Sequence, residues 1–213
     1  MANVGLLYVG AVLFINGLML IGLIPGKSAG IMNFFVGGMQ VIFPTIILIQ
    51  ANNNLATIFA ASGLYLFGFT YLYVGINQFT GVTGEGLGWF SLFVAACAIV
   101  VGVLQFTLVG DPVFGVIWLV WAVLWFLFFL LLGLGRESLT RATGWFTILI
   151  SHLTATIPAF FLLTGRYDPT AGFAVLIAVA AVVFLLLSFY LGRRQAVPSG
   201  AQEPASTAPA PAS

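Results

Sequence analysis

Residues 116–126 read VIWLVWAVLWF, an uncharged apolar run with tryptophans at 118, 121 and 125. The spacing i, i+3, i+7 places the three indoles on one stripe of an α-helix. Apolar character continues outward from 112 to 134, enough to cross a bilayer core of about 30 Å, which takes about 20 residues. Tryptophan in a membrane helix usually marks the headgroup level. Here the stripe rises about 10 Å from Trp118 to Trp125, so at most one of its ends can lie in such a belt. The remaining indoles face protein or a lumen.

The rest of the chain is read from that helix. Of 213 residues, 62% are hydrophobic and 5% charged, against roughly a quarter charged in a soluble domain. This is an all-α integral membrane chain. Six further stretches of spanning length run over 2–24, 28–51, 55–79, 87–109, 143–165 and 170–192. Breaks fall at Pro25-Gly26, Asn52-Asn53-Asn54, TGVTGEG (80–86), Gly110-Asp111-Pro112, GRESLTRATG (135–144) and GRYDPT (165–170). The Met-Ala-Asn-Val start lacks a basic n-region and a small-residue cleavage site, so the first stretch reads as a retained span rather than a signal peptide. A net charge of +1 gives no footing for nucleic acid. Cys97 is the only cysteine; it permits no intrachain disulfide and reads as a small buried hydrophobe.

With the N-terminus outside, Lys27, Arg136, Arg141, Arg193 and Arg194 are cytoplasmic and only Arg166 is external, a positive-inside bias. From Gln195 the sequence QAVPSGAQEPASTAPAPAS is too rich in Pro, Ala and Ser to bury a core, and the reading is a disordered cytoplasmic tail. LYVG occurs at 7–10 and at 72–75, which hints at repeated hairpin units.

Every Lys, Arg, Asp and Glu falls in a connection or the tail. Ion-coupled carriers and proton pumps usually keep ionisable groups at membrane depth, where each costs at least roughly 2.5 kcal/mol. Charge movement is disfavoured. A retinal pigment needs a lysine within a helix, and the sole lysine, Lys27, is in a connection. His152 is the sole histidine, and its neighbour Ser151 points about 100° away round the helix, so the two cannot pair as nucleophile and base. One histidine without a nearby carboxylate makes no metal site, and no cofactor is implied. His152 reads either as an imidazole bonded within the bundle or as part of a polar path.

Uncharged polar residues do occur in the spans, at Asn16, Asn33, Gln40, Thr70, Asn77, Ser91, Gln105, Thr154 and Thr156. They serve helix-to-helix hydrogen bonds or, together, a neutral polar passenger. The glycines of FFVGG (34–38), with Gly63 and Gly68, allow close backbone approach or leave room beside a lumen. Pro44 and Pro158 are expected to kink their helices. Leu6, Val9 and Leu13 share a stripe of the first segment, and Phe67 and Tyr71 one of the third.

LLYVGAVLFING (6–17), KSAGIMNFFVGG (27–38), LFGFTYLYVGIN (66–77), WFSLFVA (89–95) and IWLVWAVLWF (117–126) resemble the AmiS/UreI family of bacterial urea and short-chain amide channels. The likeness runs over residues 1–163. It implies a six-helix channel core at 1–165, built of helical hairpins round a pore in each protomer. A seventh transmembrane helix at 166–192 and a tail at 193–213 lie beyond it. It implies a homohexamer in the cytoplasmic membrane, with membrane lipid around it and a cytoplasmic amidase or urease as functional partner. Matched block by block, the constriction falls on Leu6, Val9, Leu13, Phe67, Tyr71, Trp121, Leu124 and Trp125, with Trp118 less clearly in the pore. Asn16, Asn77 and His152 are candidates for polar lining. One position departs from the acid-gated branch of the family: its segment-six glutamate, eight residues before the proline, is Ile150 here. The external connections also lack histidine, the side chain that titrates near pH 6.

The resulting expectation is a constitutively open, passive, bidirectional channel for urea, acetamide or formamide. Its lumen should run continuously past Phe67, Trp121 and Trp125, with indole N–H groups, the Tyr71 hydroxyl and helical carbonyls passing hydrogen bonds along it. The alternatives are a structural or assembly protein without transport, and an ion-coupled amide transporter.

Overall fold

The computed structural model describes residues 1–194. The tail expected beyond the seventh helix therefore lies outside the described residues, apart from Arg193 and Arg194. Among the described residues seven helices are long and apolar enough to cross a membrane: α1 (Ala2–Leu20), α2 (Gly26–Gln50), α3 (Leu55–Thr80), α4 (Glu85–Val109), α5 (Pro112–Gly133), α6 (Glu137–Leu163) and α7 (Ala171–Arg194). They correspond one to one with the apolar stretches of the sequence. The largest boundary difference is at α6, where residues 137–144 form a 3-10 turn and the first helical turns, not a connection. The helical hydrogen-bond ladder there runs ahead of the apolar stretch, and the Thr140 hydroxyl donates to the Glu137 carbonyl at 2.7 Å.

Polar residues stop and start the helices where the breaks were placed. Asn54 caps α3 by accepting from the Thr57 amide at 3.0 Å, and Asp111 caps α5 by accepting from the Phe114 amide at 2.9 Å. Gly81 after α3 and Gly110 after α4 sit at φ 71° and 78°, left-handed conformations that only glycine adopts freely.

The hairpins α2–α3 and α4–α5 pair most extensively, and α1 pairs with α6, which brings the two ends of the six-helix core together and closes it. Each pair is seated on glycine. A methyl group at Gly37 would stand 2.8 Å from the Leu72 amide nitrogen and 3.1 Å from the Gly68 carbonyl; one at Gly17 would stand 2.8 Å from the Gly144 carbonyl; one at Gly102 would stand 3.1 Å from the Gly115 carbonyl. Without a hydrophobic drive between helices in lipid, this backbone proximity is a main source of attraction. The two LYVG copies fit the same scheme. Gly10 of α1 meets Thr156 of α6, and Gly75 of α3 meets Phe34 of α2.

In this frame α1, α3 and α5 run in the same direction and supply most of the residues that wall the interior cavities, while α5 and α6 are the most buried helices. The most apolar window of α5 is 61% buried, against 22% in α4 and α7. Helix α7 lies across α5 and α6, which touch each other little, and covers their seam with Ala174, Ile177 and Ala181; Gly192 abuts Ala142.

Among the described residues three π-helical turns occur, at Gln105–Val109, Phe129–Gly133 and His152–Thr156. The third ends just before Pro158, whose missing amide hydrogen leaves the helical ladder one bond short.

Candidate functional site

The inner faces of α1, α3 and α5 enclose a series of cavities between the two ends of the bundle. At the end carrying the N-terminus lies a cavity of about 200 Å³, walled by Leu6, Val9, Phe67, Trp118 and Trp121, with Asn3, Gln40 and Gln105 as its polar members. Below it is a pocket of about 20 Å³ between Leu13, Asn16, Tyr71 and Trp125. It shares Val74, Leu87 and Phe128 with a third cavity of about 240 Å³ at the opposite end, which also holds Asn77.

The first and second cavities share no wall residue. Between them Phe67 packs edge-on against Trp121 at 4.8 Å between ring centroids and against Trp125 at 5.0 Å, with Trp118 a further 5.1 Å from Trp121. The continuous lumen expected from the sequence is thus interrupted in this conformation. The aromatic rings touch across it, because edge-to-face contact is attractive and no charged group holds them apart.

The indoles are fixed in place. Trp121 Nε1 donates to the Thr154 hydroxyl at 3.0 Å, and that hydroxyl donates to the Ile150 carbonyl at 2.7 Å. Trp125 Nε1 points to the Thr70 hydroxyl at 3.4 Å, and Thr70 donates to the Leu66 carbonyl at 2.7 Å. The expectation that indole N–H groups serve a passenger is therefore corrected: both are occupied by threonine, and the rings offer faces and edges. Thr154 reaches Trp121 from the π turn, which turns the register of α6 at that point.

Leu6, Val9, Leu13, Phe67, Tyr71, Trp121 and Trp125 come together along the cavity walls. Leu124 does not join them: it is fully buried but borders none of these three cavities. Asn16 borders the middle pocket, yet its amide exchanges two hydrogen bonds with Asn33 of α2, at 3.0 and 2.6 Å, so its polar head is committed to holding helices together. Asn77 stands in the wall of the third cavity. His152 departs from both readings given above. It is exposed on the outer face of the bundle, its ring 5.4 Å from that of Phe14, and it borders none of the three cavities. The π turn displaces it outward while carrying Thr154 inward.

Gln40, Thr70 and Thr154 belong to the site, although the sequence marked them only as scattered polarity. Their signal is pairing across helices, which a single sequence does not display. At the N-terminal end a staple joins two connections: the Tyr167 hydroxyl donates to both Asp111 carboxylate oxygens at 2.8 Å, and the Tyr167 ring lies 5.7 Å from Phe114 in the wall of the first cavity. Burial pushes the Tyr167 phenol well above its ordinary value, and the hydrogen bond to Asp111 and the charge of Asp111 push the same way.

Two cavities at opposite ends of one membrane-spanning bundle, divided by a wall of packed rings, define a transporter or channel. Residues 1–166 match the family described as AmiS/UreI family transporter. The chain belongs to that family. It is 58% identical to the putative transporter protein AmiS2 of Rhodococcus erythropolis over 92% of this chain and 95% of that one. It is 52% identical to a putative amidate substrates transporter protein of Mycolicibacterium smegmatis, covering 96% of each. The fold is similar to a cryoEM structure of the Helicobacter pylori urea channel in closed state, with a TM-score of 0.72 and 32% identity over 79% of this chain and all of that one. These relatives are transporters and channels, not enzymes.

Proposed function

We propose that the protein is a passive channel for small neutral amides (urea, acetamide and formamide) and that solute crosses each protomer at the Phe67, Trp121 and Trp125 closure. The observation that carries this reading is the pair of cavities separated by a barrier of rings and aliphatic side chains, in a bundle whose charged residues all lie at helix ends or in connections.

The barrier discriminates by hydration. An ion entering it sheds water that indole, phenyl and leucine side chains do not replace, an idealised penalty of tens of kcal/mol. An uncharged planar amide sheds only part of its shell and recovers about 0.5 to 1 kcal/mol per N–H to ring contact. Weak successive sites favour flux, since a tight one slows release. Each edge-to-face contact is worth about 0.5 to 1.5 kcal/mol, and Phe67, unlike the two indoles anchored by Thr154 and Thr70, has no hydrogen bond to hold it, so it swings away from them without a signal. The closure is a filter, in effect open to thin solutes at all times.

The same reading sets the N-terminus outside and the C-terminus in the cytoplasm of a bacterial cytoplasmic membrane, which puts Lys27, Arg136, Arg141, Arg193 and Arg194 on the cytoplasmic side. Protomers assemble as a homohexamer in lipid, each with its own passage at 1–165; α7 adds a lipid-facing strap. A cytoplasmic amidase or urease draws solute inward by consuming it. The names of the Mycolicibacterium and Helicobacter relatives, an amidate substrates transporter and a urea channel, support amide and urea as cargo.

Stopped-flow light scattering on proteoliposomes tests this reading. Urea, formamide and acetamide should equilibrate faster than through lipid alone, equally with and without proton or sodium gradients. Flux that requires a gradient would establish a coupled carrier, and flux no greater than lipid a structural protein.

A further inference from the structure

Among the described residues, four buried side-chain atoms carry no hydrogen-bond partner: Gln40 Oε1, Tyr71 Oη, Asn77 Oδ1 and Thr143 Oγ1. Three of the four residues stand in the walls of the first, second and third cavities in turn. An unpaired buried acceptor destabilises the fold, so its recurrence along one path calls for a partner that arrives by that path.

Gln40 is the most constrained of the three. It is fully buried, and its Nε2 donates to the Gly5 carbonyl at 2.9 Å. That carbonyl only accepts, so the orientation of the amide is fixed and Oε1 is the atom left over. Its own backbone carbonyl lies 3.0 Å from where a methyl group on Gly68 would be, at the α2–α3 crossing. With its backbone fixed at that crossing and its amide nitrogen tied to Gly5, the residue forms part of the wall of the first cavity, alongside Leu6, Val9 and the Phe67 and Trp121 rings of the closure.

We propose that Gln40 is a specificity-determining residue: its Oε1 accepts an N–H from the solute as it sheds water above the closure, so the channel selects molecules bearing amide N–H donors over equally thin molecules that lack them. The inference rests on the amide-channel reading. Dimethyl sulfoxide has the heavy-atom count and branching of acetamide, though it is pyramidal at sulfur, and carries an acceptor and no donor, so any difference due to shape is common to all variants and the contribution of Gln40 is read as the change in their ratio. A buried acceptor does distinguish them, because only acetamide satisfies it.

The test measures acetamide and dimethyl sulfoxide permeability in the same proteoliposomes, corrected for protein-free vesicles. The full chain is compared with Gln40→Met, which keeps the bulk and removes the acceptor, and with Gly5→Ala, whose methyl would stand 3.0 Å from Gln40 Nε2 and so displace the amide head. The acetamide to dimethyl sulfoxide ratio should fall about three- to tenfold in both variants, the equivalent of one neutral hydrogen bond. A ratio unchanged in Gln40→Met, or both permeabilities falling together, overturns the assignment and leaves Gln40 a packing residue. Unmodified protein that passes no acetamide above lipid overturns the channel reading itself, and is seen before any variant is made.

Discussion

Thr154 and Thr70 show how much of the closure depends on small residues. Each hydroxyl donates back to its own helix and still accepts from an indole. Thr154→Val keeps the shape but strands the Trp121 N–H in an apolar wall, which should lower stability by about 1 to 3 kcal/mol and loosen the ring. Urea unfolding in detergent and a rise in glycerol leak read the two effects. The aromatic register was legible from residue spacing alone, as were Leu6, Val9 and Leu13, because helical periodicity and the absence of charge leave few other arrangements. The threonine anchors were not, since their meaning lies in which indole they meet across the bundle. His152 escaped for a related reason: a polar side chain in an apolar span suggests an interior position, yet a π turn moves it to the outer face beside Phe14.

The helices themselves were readable from length and punctuation, down to the asparagine, aspartate and glycine that end or begin them. Their pairing was not: nothing local says that α1 joins α6 while α2 joins α3 and α4 joins α5. Glycine position carries that information only once both partners are known. Gly37→Ala would place a methyl group 2.8 Å from a backbone nitrogen that has no room to retreat, so it should cost about 1 to 3 kcal/mol. Gly38→Ala, at a position with nothing within 4 Å, should be silent. Thermal melting of the two variants in detergent compares them directly. Helix α7 was read as lying outside the pore, and in the structure it straddles the α5–α6 seam. Truncation after Thr170, which removes α7 but keeps Tyr167, should therefore lower the melting midpoint yet leave amide flux per folded protomer unchanged.

For the molecule as a whole, the end carrying the N-terminus and the Tyr167–Asp111 staple decides the response to pH. The Tyr167 phenol, raised by burial and by Asp111, stays protonated through the physiological range, so its contribution to stability is present below its ordinary value near 10 and is lost only as pH rises beyond that. With Ile150 buried in α6 and no histidine in the connections at that end, urea and acetamide flux should stay level between pH 7 and pH 5; a steep rise on acidification would establish acid gating. The deeper dependence is on the rings. Removing both indole faces by Trp121→Ala with Trp125→Ala opens a void where Phe67 now packs, and side-by-side stopped-flow permeabilities for acetamide, urea and glycerol measure what that void admits. On the proposed function the native protein should pass the two amides and hold back glycerol, and the double variant should lose most of that discrimination. Amide-to-glycerol selectivity that survives the loss of both indoles would contradict a filter made of aromatic faces.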